Sequence, residues 1–361
     1  MSIGFDHQHY VPILRWKGGE IGAIRDMSKI DQLRITPLFE LPAPKSAGDP
    51  PRDGKQKTMI EVAAEVASNW GGGYAFFDLR VRDVALFPNV AHPVEEFFSA
   101  AREYGLRLIP VTGLGRNSSF QEAVRNVVAT DSHGVCVRLL REELASSNLQ
   151  HLIDAHLMRL RVHPREADLV VDLEIVGEPG FNLVEICASL PYLACWRTFT
   201  VAGSSFPQDL QGMEEGSNYV PRWEWRAWKN QICQALPRIP TFGDYTILHP
   251  FLSEWIPGMN PSASIRYTTD EQWLVMRGRG IHTENSGGHQ QYPALAQLLC
   301  ARSEYCGQHF SAGDKYLHDV RIGRKHTGNP ATWLRAGVNH HLAFVVVQLA
   351  NLFDSSTGGT R

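Results

Sequence analysis

The stretch RLIPVTGLGRNSSFQEAVRNVVATDSHGVCVRL, residues 107–139, contains the pattern that decides the fold. Arg107–Thr112 and Gly134–Leu139 are short apolar runs with strand character, and Phe120–Ala129 between them has apolar residues at helical spacing. A strand, helix, strand unit predicts two parallel strands, because parallel neighbours need a crossover connection and a helix supplies it compactly.

The same unit recurs along most of the chain. The eight segments with strand character are Tyr10–Trp16, Ile35–Leu41, Tyr74–Leu79, Arg107–Thr112, Gly134–Leu139, Asp168–Glu174, Trp196–Ala202 and Pro240–Leu248. The amphipathic stretches between them include Met59–Asn69, Val94–Tyr104, Phe120–Ala129, Leu149–Leu160, Leu183–Leu190 and Trp223–Leu236. Eight units favour the α/β class and a closed (β/α)₈ TIM-like barrel, formed as one domain over residues 1–361. An open doubly wound sheet is the alternative, weakened because no GxGxxG follows the first strand.

Two insertions depart from the repeating unit. Residues 42–57 are rich in proline, glycine and charge, which predicts a mobile loop after strand two. Ser264–Thr268 and Gln272–Arg277 predict an antiparallel hairpin within residues 250–288, after strand eight. Because the loops that follow barrel strands build the site, this hairpin is expected to act as a lid or wall.

The chain closes on TGNPATWLRAGVNHH, residues 327–341, followed by an apolar run that ends near Leu352. We expect a link rich in glycine, histidine and lysine between a helix at Tyr292–Tyr305 and a buried C-terminal helix at Ala336–Leu352. The apolar run of about eleven residues is too short to span a bilayer.

Composition is that of an ordinary soluble globular protein. The 361 residues are 43% apolar and 20% charged, with a net charge of −3. No signal pattern is present, so we expect a cytoplasmic protein with no membrane contact. The six cysteines form no CxxC pair and are interpreted as reduced core residues.

Polar residues at the ends of the predicted strands form the candidate site, since barrel chemistry lies at that face. The candidate catalytic residues are Glu40, Asp78, Asp172, Asp244 and His249. The candidate ligand-binding residues are Lys17, Arg80, Arg138, Ser204, Ser205, Tyr245, Arg266, Asn339 and His340. We expect five cations, Lys17, Arg80, Arg138, Arg222 and Arg266, to converge on one mouth.

The cations have two interpretations. Guanidinium groups bind phosphate or carboxylate through paired hydrogen bonds, which predicts an anionic ligand. Alternatively, the strand-end arginines and carboxylates pair with each other as a structural network. Asp78 and Arg80 lie two residues apart and share a strand face, so both point inward or both point outward.

Serine and histidine residues are further candidates, as nucleophiles or as metal ligands. Ser204 and Ser205 lack the GxSxG elbow of hydrolases, so a phosphate-cradling or helix-capping turn is favoured over a nucleophile. No HxH, HExxH or HxxxH spacing occurs among the candidate histidines, which leaves the metal unknown and Mg²⁺ an open possibility. The adjacent His340 and His341 cannot both face one ligand on a helix.

Several motifs, in order along about residues 9–352, resemble the "beta protein" family of phages, phage satellites and bacterial genomes. They are Tyr10–Glu20, Pro37–Glu40, Val201–Pro207, Gly243–Tyr245, Arg266–Tyr267 and Asn339–His341. The resemblance implies a mobile-element setting, in some cases a gene cluster for anti-phage defence with a toxic or effector partner. It carries over no catalytic residue.

Three hypotheses follow for the function. The first is a defence-associated protein that binds a nucleotide, another phosphorylated ligand or a nucleic-acid end at the barrel mouth, and so senses infection or controls a partner protein of the same defence locus. The second is a metal-dependent phosphodiesterase or nuclease. The third is a non-catalytic protein-interaction scaffold. The oligomeric state is left open.

Overall fold

A computed structural model describes residues 4–42, 57–79, 92–251 and 258–357 of the chain. Eight parallel strands close into a barrel in the order β1-β2-β3-β4-β5-β6-β7-β9. These strands are β1 Tyr10–Arg15, β2 Leu38–Leu41, β3 Tyr74–Leu79, β4 Arg107–Thr112, β5 Val135–Leu140, β6 Ala167–Ile175, β7 Thr198–Ser204 and β9 Thr241–Asp244. The predicted (β/α)₈ barrel is therefore confirmed, with each strand within a few residues of its predicted position.

Helices surround the barrel and extend beyond it. They are α1 Gly18–Arg25, α2 Lys29–Gln32, α3 Met59–Asn69, α4 Pro93–Glu103, α5 Ser118–Asp131, α6 Arg141–Leu144, α7 Leu149–Leu160, α8 Leu183–Ser189, α9 Trp223–Gln231, α10 Tyr292–Cys300, α11 Ala312–Arg321 and α12 Pro330–Thr357. Their starts are set locally: the Thr58 hydroxyl accepts from the Glu61 amide at 3.2 Å, and the Asn117 side chain accepts from the Phe120 amide at 2.8 Å. Such caps satisfy amide groups that the first helical turn leaves unbonded.

Alternation along each strand separates two cores. In β1, Val11 and Ile13 belong to the cluster inside the barrel, whereas Tyr10 and Leu14 belong to the larger cluster between the barrel and its helices. Successive side chains of a strand point to opposite faces, so every barrel strand serves both cores. The same alternation decides which strand-end side chains can reach the mouth.

The predicted hairpin is part of a larger sheet. β10 Ser262–Thr268 and β11 Gln272–Gly280 pair as predicted, but β11 also pairs with β8 Gly216–Pro221, a strand that precedes the last barrel strand. Ile265, Tyr267 and residues of α10, α11 and α12 form a hydrophobic cluster on one face of this sheet. On the other face, Trp273 and Val275 of β11 belong to the main core, so the hairpin is held by packing on both faces. Of the predicted mobile loop, only residues 42 and 57 lie within the described part of the chain.

The C-terminal helix is longer than predicted. α12 spans 28 residues, and its Pro330–Phe353 portion is long and apolar enough to cross a membrane by length and composition alone. Its most apolar window is 61% buried inside the fold, as expected of the core helix of a soluble protein. α11, which the sequence did not signal, packs beside it.

Substitution of Gly313 tests the close contact between α11 and α12. A Cβ at this position would overlap the carbonyl oxygen of Ala336, which is backbone and cannot rotate away. We expect Gly313→Ala to reduce the free energy of unfolding by about 1–3 kcal/mol, as overpacking does. Gly18→Ala in α1 is the control, because that Cβ would meet no atom within 4 Å. Equal stability of the two variants in chemical denaturation would contradict this packing.

Candidate functional site

A buried guanidinium occupies the carboxyl end of the barrel. Arg138 Nη1 donates to Glu40 at 2.7 Å and to Asp78 at 2.9 Å. Its Nε donates to Asp172 at 3.0 Å, and its Nη2 donates to Asp172 at 2.5 Å and to the Tyr245 hydroxyl at 2.8 Å. A guanidinium has five N–H donors, and all five are used here. An anionic ligand could bind Arg138 only by displacing one of these partners.

The register places Glu40 and Asp78 at one level of the barrel, whereas Arg138 lies opposite Val170, two residues before Asp172, and its long side chain extends to the carboxylates. Glu40 of β2 lies opposite Asp78 of β3, and Leu140 of β5 lies opposite Asp172 of β6. Arg138 lies two residues after Cys136, which belongs to the interior core, so its side chain also points inward. We call Glu40, Asp78, Arg138, Asp172 and Tyr245 the mouth cluster.

Burial and charge fix the protonation states of Arg138 and Tyr245 in the mouth cluster. Burial alone would lower the pKa of Arg138, but Tyr245, Asp172 and the other carboxylates outweigh it and hold that pKa well above its usual value. Burial, together with the Asp172 charge, raises the pKa of Tyr245 well above its usual value. The phenol therefore keeps its proton and donates it to Asp172 at 2.6 Å.

A second cation, Arg116, borders the cluster in the loop after β4. Its Nη2 donates to both carboxylate oxygens of Asp78, at 2.7 and 2.9 Å, and its guanidinium lies over the Phe120 ring. The Arg116 side chain is 23% exposed, and no acceptor among the described residues bonds its Nε or Nη1. Arg116 is not among the candidates predicted from the sequence, because it lies four residues beyond the end of β4 and the candidates were taken from the strand ends.

Glu20 is a buried carboxyl near the end of β1 that is not among the candidates predicted from the sequence. Its Oε1 accepts from the Arg15 amide at 2.8 Å at the start of α1. Burial raises the pKa of this carboxyl to about 7, against the lowering effects of the Arg15 hydrogen bond and of the Arg15 and Lys17 charges. Arg15 itself donates to the carbonyl of His249 at 2.6 Å.

The predicted cations do not form one group. Lys17 is exposed at the end of β1, and Arg80 lies outside the described residues. Arg222 is buried beneath the β10–β11 turn, where it donates to Gln348 at 2.9 Å, so the predicted convergence of five cations is wrong for this residue. Arg266 donates to the Ile247 carbonyl at 2.9 Å.

Asp244 was placed at the mouth by the sequence and lies elsewhere. It accepts from the Tyr10 hydroxyl at 2.5 Å and contacts His341 Nε2 at 2.9 Å, between the barrel wall and α12. Tyr245 points inward, so alternation forces its neighbour Asp244 outward. Burial would raise the pKa of Asp244, but His341, Arg222 and the Tyr10 hydroxyl lower it below its usual value. Burial lowers the pKa of His341.

Asn339 and His340 are also held away from the mouth. His340 lies between Asp314 Oδ2 and the Thr268 carbonyl, each at 2.9 Å, and stacks on the Tyr267 ring. Asn339 donates to the Ala23 carbonyl at 3.0 Å. Each adjacent histidine thus has its own carboxylate, which agrees with the argument that the two cannot share a ligand.

The hydroxyl groups of Ser204 and Ser205 are both bonded within the protein. Ser204 donates to the Leu248 carbonyl at 2.9 Å. Ser205 donates to Glu224 at 2.6 Å and accepts from the Trp223 amide at 2.9 Å, at the start of α9. Within the described range 92–251, no helix directly follows the turn at Ser205, so the expected capping of a helix there is not seen; Ser205 instead bonds an amide of α9, 18 residues further along the chain.

The remaining catalytic candidate is His249, which is half-buried beyond β9. Its Nδ1 accepts from the Phe251 amide at 3.1 Å. Burial, together with the nearby Arg15 charge, lowers its pKa despite a hydrogen bond to Phe251. Among the described residues, no three or more histidine, cysteine, aspartate or glutamate side chains are grouped to hold a metal ion.

The fold and the mouth cluster define a (β/α)₈ barrel protein with an arginine-centred ionic site. The chain belongs to the Beta protein family, whose sequence model matches residues 10–347. Membership suggests an association with phages and mobile elements.

Solved structures with similar folds were also compared. A chitinase from Chromobacterium violaceum ATCC 12472 has 10% identity and a TM-score of 0.30, over 93% of this chain and 99% of that chain. An endo-beta-N-acetylglucosaminidase from Cordyceps militaris has 10% identity and a TM-score of 0.28, over 67% and 82%. At these scores neither likeness carries an argument about function. No curated protein matches the chain.

Removal of the central guanidinium should destabilise the fold, because buried carboxylates need a nearby cation. We expect Arg138→Met to lower the free energy of unfolding by roughly 3–5 kcal/mol, because it removes the buried cation that Glu40, Asp78 and Asp172 share. Arg125→Met is the control, since Arg125 pairs with Glu122 on the surface of α5. Denaturant titration measures both; a loss below that of the control would show that the cluster does not depend on Arg138.

Glu20 predicts a specific pH dependence. Its folded pKa of about 7 lies above the ordinary 4.5, so the folded state binds this proton more tightly and loses the associated stability as pH rises through 7. The stability of Glu20→Gln relative to the natural protein should therefore increase from pH 5 to pH 8. Glu103→Gln, at an exposed site on α4, is the control. A difference that is flat with pH would contradict the shifted pKa.

Proposed function

We propose that this protein binds an anionic ligand, a nucleotide or another phosphorylated molecule, at the barrel mouth, and that it thereby senses infection or controls a partner protein of the same defence locus. The observation that carries the proposal is Arg116: Asp78 holds its Nη2, while its Nε and Nη1 have no acceptor among the described residues. Family membership supports the mobile-element setting.

The chemistry of Arg116 fits this role. A planar guanidinium can offer paired N–H donors to phosphate or carboxylate oxygens, and orientation in advance reduces the entropy lost on binding. Asp78 provides that orientation through two hydrogen bonds. Asp78 also accepts from Arg138, so it neutralises each guanidinium only in part.

The mouth cluster supports binding better than a metal-dependent phosphodiesterase. Glu40, Asp78 and Asp172 each accept a hydrogen bond from Arg138. A divalent ion would have to compete with this cation for the same oxygens, at the cost of breaking a buried ion pair.

Thermal unfolding with phosphorylated ligands tests the proposal. Pyrophosphate or ATP at 100 times Kd should stabilise the protein by about 2.7 kcal/mol, and Arg116→Ala should reduce the shift because it removes the oriented donors. Arg125→Ala is the matched control, as a partly exposed arginine that also pairs with one carboxylate. An equal shift in Arg116→Ala, or no shift of the natural protein with any phosphorylated ligand, would contradict the proposal.

The partner is tested separately. Purification of the tagged protein from its native operon should recover a protein encoded in the same locus, and the ligand should change the amount recovered. If the amount of partner recovered does not change with the ligand, the result favours the scaffold hypothesis over the sensor hypothesis.

A further inference from the structure

A cavity separate from the mouth cluster lies between the end of α1, α11 and the first turns of α12. Its volume is about 280 Å³. Charged and amide side chains that line it are Asp26, Lys315, Asp319, Lys325, Arg335 and Asn339. This volume is at the lower limit of small-molecule sites, so it suits a small ligand.

Arg335 is held in position at this cavity. Its Nε donates to Asp26 Oδ2 at 2.5 Å, and its stem packs against Gly22 of α1. A Cβ at residue 22 would lie 2.7 Å from Arg335 Cδ, so the glycine makes room for this side chain. Arg335 Nη2 also contacts Asp26 Oδ2, so Asp26 occupies the Nε and Nη2 side of the guanidinium, and no acceptor among the described residues bonds Nη1.

Two lysines add positive charge. Lys315 Nζ lies 3.0 Å from Asp319 Oδ2, and this carboxylate is only 9% exposed. Lys325 is exposed, and no carboxylate among the described residues lies within ion-pair distance of its ammonium group. The lining therefore has three cations against two carboxylates, and Lys325 and Arg335 retain donors for a ligand.

We propose that this cavity binds a phosphate group, supplied by inorganic phosphate or by a small phosphate monoester. Arg335 provides a guanidinium fork that Asp26 and Gly22 orient, and Lys325 provides a mobile ammonium at the rim. The site goes beyond the function proposed for the mouth, because it shares no residue with the mouth cluster or with Arg116.

Isothermal titration calorimetry at constant ionic strength tests the site, with inorganic phosphate and AMP as separate titrants. The Arg116→Ala variant is used as the background, so that failure of the mouth proposal does not affect the result. Binding of phosphate identifies the free anion, and binding of AMP alone identifies a monoester. Either outcome supports the site, and binding of neither overturns it.

Variants then locate the bound phosphate. Arg335→Gln should weaken binding at least tenfold, and Gly22→Ala should weaken it through displacement of an unchanged arginine. Lys325→Gln is expected to weaken binding several-fold. Because Lys325 is exposed, this variant should fold and can be measured even if the other variants do not fold. Gly18→Ala and Arg324→Gln are the matched controls. Unchanged affinity in Lys325→Gln together with unchanged affinity in a folded Arg335→Gln would overturn the assignment.

Discussion

The structure depends on one buried guanidinium with every donor satisfied. Arg138 joins Glu40, Asp78, Asp172 and Tyr245, and so connects strands β2, β3, β5 and β6 with the residue that follows β9. Three carboxylates could not share this space as anions without a cation between them, since unpaired buried charge is costly. The cluster thus specifies which strand ends meet at the mouth.

This constraint also determines which groups are left for a ligand. Because Arg138 is committed to protein acceptors, the proposed ligand is assigned to Arg116, which shares Asp78 with it. Asp78 is therefore the link between the structural ion network and the proposed binding function. The sequence left two interpretations of the strand-end cations, and Arg138 fits the structural network.

The repeated strand and helix pattern was sufficient to predict the barrel, because each strand is a clear apolar run bounded by turns. β8 could not be predicted in this way: Gly216–Pro221 is polar and half-buried, and only pairing with β11 makes it a strand. α1 was hidden by Gly18, Gly19 and Gly22, because glycine weakens a helix. Of these, Gly19 and Gly22 let α12 approach closely.

The site was predicted in part, for a related reason. Strand-end position was enough to select Glu40, Asp78, Arg138 and Asp172, since all four obey the barrel alternation. The prediction that Asp244 faces the mouth was wrong because adjacent residues of a strand cannot both point inward. Which of Asp244 and Tyr245 points inward depends on the register of β9. The partners of Asn339 and His340 lie on other elements, which no local pattern reveals.

A crystal structure of the protein grown with pyrophosphate tests the central claim most directly. The account predicts an anion bonded to Arg116, with the five hydrogen bonds of Arg138 unchanged. An anion bonded to Arg138 in place of a carboxylate, or a divalent ion held among Glu40, Asp78 and Asp172, would contradict it.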